Sequence, residues 1–205
     1  MLDQPITAPV AWRGSDLAED AGRLQLSAEA ADEVSAVAEL LAANPLPLEA
    51  LRPDDFDMPA CRALMAAARR ELRDGLGFAI IDRLPLESLG DQVREVYWLL
   101  ASMVSRPVAQ KWDGTMIYDV TDIGLPPGNG IRPDKTNAEQ NFHNDNSYNH
   151  CPPEIVGLLC VRTAMQGGVS HIVSFADVHN RMREAAPELL TSPPLYSFLR
   201  HRFGR

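Results

Sequence analysis

Residues 139–174 read EQNFHNDNSYNHCPPEIVGLLCVRTAMQGGVSHIVS, and the organisation of the chain turns on them. The stretch opens with His143-Asn144-Asp145, passes through the apolar run Ile155–Val161 and closes on Gly167-Gly168-Val169-Ser170. In an extended chain successive side chains alternate faces, so positions i and i+2 point the same way. An H-x-D on a strand therefore aims an imidazole and a carboxylate into one space, with backbones about 6–7 Å apart. Side chains of that reach can converge on a single ion, as two members of a three-ligand face of two histidines and a carboxylate. The pair alone is a weak signal. With five His and 28 acidic residues among 205 positions, chance supplies roughly one such spacing, and a polar loop explains it equally well.

The surroundings strengthen it. Pro152-Pro153 precede the apolar run, which reads as a buried strand, and a Gly-Gly turn leads into a second β-rich piece, Val169–Val173. Ser174 is placed to cap a helix starting at Phe175 and running to Met182. The order H-x-D, PP, apolar strand, GG-x-S and a helix followed by PELL resembles the taurine-dioxygenase-like (TauD/TfdA) family of Fe(II)- and 2-oxoglutarate-dependent oxygenases. The resemblance is dense from Phe142 to Leu190 and looser from Gly77, where GFAIIDRLPL looks like an early strand of that family.

The resemblance implies an α+β fold, a double-stranded β-helix (jelly-roll) core with helices N-terminal to it. It implies an oxygenase using Fe(II), with 2-oxoglutarate as cosubstrate and O2 and a small molecule as the other partners. His143 and Asp145 are then two iron ligands, and Ser170 is a donor to the distal carboxylate of 2-oxoglutarate. Asn141 and Asn146 flank the metal motif and are the candidates to face substrate, while Gln110, Trp112 and Tyr148 are more readily explained by packing. The family also needs a distal His and, after it, an Arg for the 2-oxoglutarate carboxylate, both on later strands. His171 neighbours Ser170 and would face away from it, and His150 stands only five residues past Asp145, across a turn. His179 sits in a helical Val-His-Asn segment that the family shares. His201, with Arg205 four residues on, is far enough along, but the family's histidine belongs to a later strand. The third metal ligand is therefore unassigned, and the jelly roll is expected to be incomplete at the C-terminus. The competing expectation is a catalytically inactive or partner-completed domain with a binding role. A zinc module of His143, Asp145, His150 and Cys151, or a nucleophile built on His150-Cys151, ranks below both.

The remaining sequence bounds the class. A net charge of −9 disfavours nucleic-acid and anionic-membrane surfaces, which need clustered cations. No apolar run approaches the ~20 residues of a membrane span, and the first residues, MLDQPITAPVAWRG, do not read as a signal peptide. Three cysteines without C-x-x-C spacing give neither a disulfide framework nor a zinc knuckle, consistent with a cytoplasmic protein. Residues 1–26 read as a leader lying across the surface, and 27–205 as one domain, with a helical scaffold over 27–104 and barrel strands with the metal motif over 115–205. Ser27 should cap a helix that Pro45 stops, with Val34, Val37, Leu40 and Leu41 inward. A second helix should start at Asp57 with Pro59 in its first turn and end at Gly75, and a third should run from Leu89 to Met103. Gly77–Leu86 and Thr115–Thr121 read as strands, and 122–140 as a long loop feeding the metal motif.

Overall fold

The computed structural model describes residues 4–128, 130–146 and 151–191. They fall into two compact units. Residues up to Ser105 and those from Gly157 onward form the first, and Arg106–Val156 form the second.

The first unit is built on three helices that pack against one another: α1 (Ala28–Ala43), α2 (Pro59–Asp74) and a shorter helix, Val93–Val104. In α1 the Ser27 hydroxyl accepts the Ala30 N–H at 3.2 Å, satisfying one of the donors that a helix start leaves open. Ala30, Val34, Val37, Ala38 and Leu41 make the buried stripe. Leu40, expected inside, is 52 % exposed because it lies about 100° around the helix from Leu41. The expected third helix is broken: α3 (Leu86–Leu89) and α4 (Val93–Val104) are separated by Gly90, whose φ of +53° no continuous helix accommodates. Val96, Leu99 and Leu100 of α4 are buried, and so is Trp98, whose Nε1–H donates to the Leu51 carbonyl at 3.1 Å.

The start of α2 is capped from another helix. Its N-cap residue, Met58, has no side-chain acceptor, and Asp57 does not serve. Instead the Glu33 carboxylate of α1 receives the N–H groups of Ala60 and Cys61, each at 2.8 Å. A carboxylate there also meets the positive end of the helix dipole. The Cys61 thiol beneath it is buried and donates to the Ala30 carbonyl at 3.4 Å. Burial, reinforced by a hydrogen bond to Glu33 and its negative charge, pushes this thiol up to about 12. Since the thiolate is the nucleophile, iodoacetamide should modify exposed Cys151 and Cys160 in the folded protein and spare Cys61 until denaturant is added. Mass spectrometry of the alkylated protein checks this, and rapid native labelling of Cys61 would contradict the described packing.

The leader does more than cover a surface. Arg23–Leu24 forms β1, paired in parallel with β2 (Ile80–Ile81) in the register Arg23 to Ile80 and Leu24 to Ile81. Upstream, the leader is stitched to α5 (Phe175–Ala185). The Asn180 side-chain amide accepts the Ile6 N–H at 2.8 Å and donates to the Ile6 carbonyl at 2.7 Å, imitating a strand partner. Ser174 accepts the Asp177 N–H at 3.1 Å as the expected N-cap, and its hydroxyl donates to the Val10 carbonyl at 2.6 Å. Arg13 reaches Asp177 at 3.7 Å. Trp12 donates to the Leu76 carbonyl at 2.8 Å and meets Phe78 edge-on at 5.4 Å.

Among the described residues β1 and β2 are the only strands, so the structure shows helices with a two-stranded ribbon rather than an assembled jelly roll. Thr115–Thr121, Ile155–Val161 and Val169–Val173, all expected as strands, have no ladder partner. Extended chain becomes a strand only when its backbone groups find one. Many of their apolar side chains remain accordingly exposed, Leu158 at 79 % and Val169 at 75 %, while Thr115–Tyr118, Ile155 and Leu159 are half-buried. Within the second unit, residues 122–140 form the expected irregular loop, interrupted by a single 3-10 turn at Pro133–Lys135.

Candidate metal centre

His143 and Asp145 lie in the second unit, on irregular chain entering a turn rather than on a strand. Asn146, just after them, takes a left-handed φ of +51°, a conformation Asn tolerates better than most residues. The two side chains nevertheless converge. His143 Nε2 stands 3.3 Å from Asp145 Oδ1, and both side chains are about half exposed, at 52 % and 51 %. The other ring nitrogen, Nδ1, lies 2.7 Å from the Asn141 carbonyl.

A carbonyl oxygen can only accept, so Nδ1 carries the proton that the contact requires. Nε2 of a neutral ring then presents its lone pair to a carboxylate oxygen, and the two repel unless a proton or a metal cation lies between them. A carbonyl orienting the far nitrogen is the usual outer support of a metal-bound imidazole. The spacing fits as well, because two ligands about 2.1 Å from one ion and at right angles to it lie about 3 Å apart. Nitrogen and carboxylate oxygen are donors that divalent iron accepts. Among the described residues no third His, Cys, Asp or Glu joins them.

The other expected participants are distributed as follows. Ser170 is exposed and belongs to the first unit, following two glycines with φ of +74° and +71°. A Cβ on Gly168 would meet that of Ala164 at 3.0 Å, so the turn before Ser170 demands glycine there. Asn141 contributes its backbone carbonyl to His143, a role the sequence does not signal because any residue can supply a carbonyl. His171 is exposed, whereas His179 is buried inside the first unit, its Nδ1 without a partner among the described residues. His150, Tyr148 and His201 lie outside the described residues.

Burial holds the His179 imidazole below its ordinary value of 6.5, the Arg183 charge adds to this, and a hydrogen bond with Asn180 opposes it. A depressed folded-state pKa means that the unfolded chain binds more protons below that value. The stability tied to a neutral His179 is therefore complete above pH 6.5 and is lost as the pH falls below it. Urea midpoints measured from pH 7.5 down to 5 should decline, and the decline should flatten in His179→Leu. An unchanged pH profile in that variant would remove His179 as the cause.

Two comparisons with known proteins concern the chain as a whole. The family described as "Taurine catabolism dioxygenase TauD, TfdA family" matches residues 42–201. FR-33289 synthase of Streptomyces rubellomurinus (strain ATCC 31215) is 29 % identical over 198 residues, covering 93 % of this chain and 56 % of that protein. The chain thus spans little more than half the length of that relative.

Proposed function

Because the chain belongs to the Taurine catabolism dioxygenase TauD, TfdA family, we propose that it is part of an Fe(II)- and 2-oxoglutarate-dependent dioxygenase acting on a small molecule, by hydroxylation or oxidative cleavage. The observation that carries the metal assignment is the convergence of His143 Nε2 and Asp145 Oδ1 at 3.3 Å, with His143 Nδ1 anchored on a backbone carbonyl. His143 and Asp145 would hold the ion, leaving one protein position for a second histidine outside the described residues. Iron with 2-oxoglutarate supplies the means of using O2 to oxidise a substrate. The protein's own share is to bind, orient and exclude water. His143 keeps its proton on Nδ1, away from the ion. Ser170 would donate its hydroxyl proton to the distal carboxylate of 2-oxoglutarate, and Asn141 and Asn146 would border the substrate. The reading extends to a jelly-roll core completed by strands that are not among the described residues, and to a cytoplasmic location. No helix among the described residues is long and apolar enough to cross a membrane.

Equilibrium titration with Mn(II), or with Fe(II) under anaerobic conditions, tests the metal assignment. Two ligands without the third should bind weakly, well above micromolar, and His143→Ala should remove the binding that exists. Sub-micromolar binding unaffected by His143→Ala would overturn the assignment. Tight binding lost in His150→Ala and Cys151→Ala would instead support a zinc module.

A further inference from the structure

The chain has 19 basic residues, and only two of them are lysines, Lys111 and Lys135. Both stand over the same aromatic ring. Lys111 Nζ is 4.4 Å and Lys135 Nζ 4.8 Å from the centroid of Tyr118, and the Arg132 guanidinium is 5.8 Å from it. Three cations are thus gathered around one ring within the second unit.

The ring's negative face attracts each cation. The nearby carboxylates are largely committed. Asp134 accepts from Arg132 Nε at 2.8 Å. Burial works to raise the Asp134 pKa, yet hydrogen bonds from Arg132 and Tyr118, together with the Arg132 charge, outweigh it and keep the group ionised. Asp113, close enough to feel Lys111, spends one oxygen on both the N–H and the hydroxyl of Thr115, at 2.9 and 2.6 Å. Lys135 Nζ has a long contact, 3.5 Å, to the Asp119 carbonyl. Arg132 is fixed by its partner, while the two ammonium groups sit on flexible stems above the ring.

We propose that Lys111 and Lys135, gathered over Tyr118 beside Arg132, form a receiving site for the oxyanion group of a small ligand: a carboxylate, sulfonate or phosphate-like group. An ammonium is a compact, strongly hydrated point charge with three donors, suited to swing off a ring onto such oxygens. The net charge of −9 repels extended polyanions, which selects a small anion able to make short-range contact. The proposal stands apart from the metal reading. Joined to it, the site would receive an acidic group of the substrate or of the cosubstrate.

Two lysines make the test direct. Protein labelled with 13C at lysine Cε gives two side-chain signals, assigned through Lys111→Gln and Lys135→Gln and displaced by the Tyr118 ring current. Metal-free protein is titrated at constant ionic strength with inorganic phosphate, sulfate and acetate. Both signals should move and saturate with one shared midpoint. Either substitution should raise that midpoint at the surviving lysine about tenfold. Signals that stay still or drift without saturating would overturn the site, as would a midpoint insensitive to the other lysine. If 2-oxoglutarate displaces phosphate, the site serves the cosubstrate's carboxylate; if it does not, the anionic group belongs to the substrate. Loss of Mn(II) binding in His143→Ala leaves these outcomes unchanged, so the two readings fail separately.

Discussion

In a longer form of the protein that supplies the third ligand, Asp145→Ala should cut succinate formation from 2-oxoglutarate by about a hundredfold or more. Removing even an outer support of a metal ligand typically costs 10–100-fold, and we propose Asp145, 3.3 Å from His143 Nε2, as a ligand itself. Its loss also leaves His143 Nε2 as a lone donor. Ser170→Ala should behave differently. It removes one hydrogen bond to a charged group, about 1–3 kcal/mol, which appears as a KM for 2-oxoglutarate raised roughly 5- to 150-fold with kcat largely kept. Succinate measured with Fe(II) and ascorbate present separates the two effects. On the proposed reading, in which neither His150 nor His201 serves as the third ligand, the 205-residue chain alone should form none. Substantial succinate from it would mean that the third ligand lies within it, and His201 would be the first residue to replace. Equal losses of kcat in both variants would argue that Ser170 holds the fold rather than the cosubstrate.

The second large effect concerns stability. Glu33→Ala strips the Ala60 and Cys61 N–H groups of their acceptor at a helix start where Met58 offers none. Each part-buried donor left unpaired costs toward the lower end of about 1–3 kcal/mol, so a total near 3 kcal/mol is expected. At 2–4 °C per kcal/mol for a protein of this size, the melting midpoint should drop by about 6–12 °C. Glu33→Gln keeps one acceptor oxygen and should lose roughly half as much. Calorimetry or thermal circular dichroism reads the difference, and an alanine variant melting within 2 °C of the parent would show that α2 caps itself in some other way. Cys61 offers a second readout, because loosening the start of α2 should expose its thiol to alkylation.

What the sequence made legible follows chain separation. Ser27 and Ser174 announce helix starts because a hydroxyl and the N–H three residues on are neighbours along the chain. The apolar stripe of α1 could be read for the same reason, missing only Leu40. Glu33 could not be read as the cap of α2, since it lies 27 and 28 residues from the donors it serves. Nor could Asn180 be matched to Ile6 across 174 residues. The strands expected at 155–161 and 169–173 had the right composition, but composition does not supply a pairing partner. At the candidate site, the i, i+2 spacing located His143 and Asp145, although the strand geometry used to find them is replaced by a turn. The supporting Asn141 carbonyl and the cations over Tyr118 depend on backbone position and loop path, which residue identity does not encode.

The clasp between the leader and α5 has a consequence for biosynthesis. Ile6 and Val10 leave the ribosome near the beginning of translation, while Asn180 and Ser174 follow some 170 residues later. At 5–20 residues per second that interval is about 9–35 seconds. Throughout it the backbone groups of Ile6 and the Val10 carbonyl lack these partners, although Trp12 and Arg23–Leu24 can already pair with Leu76 and Ile80–Ile81. The intervening unit, residues 106–156, emerges whole before the clasp forms. A nascent chain halted before residue 174 should therefore carry a protease-sensitive N-terminus that becomes resistant once α5 has been made.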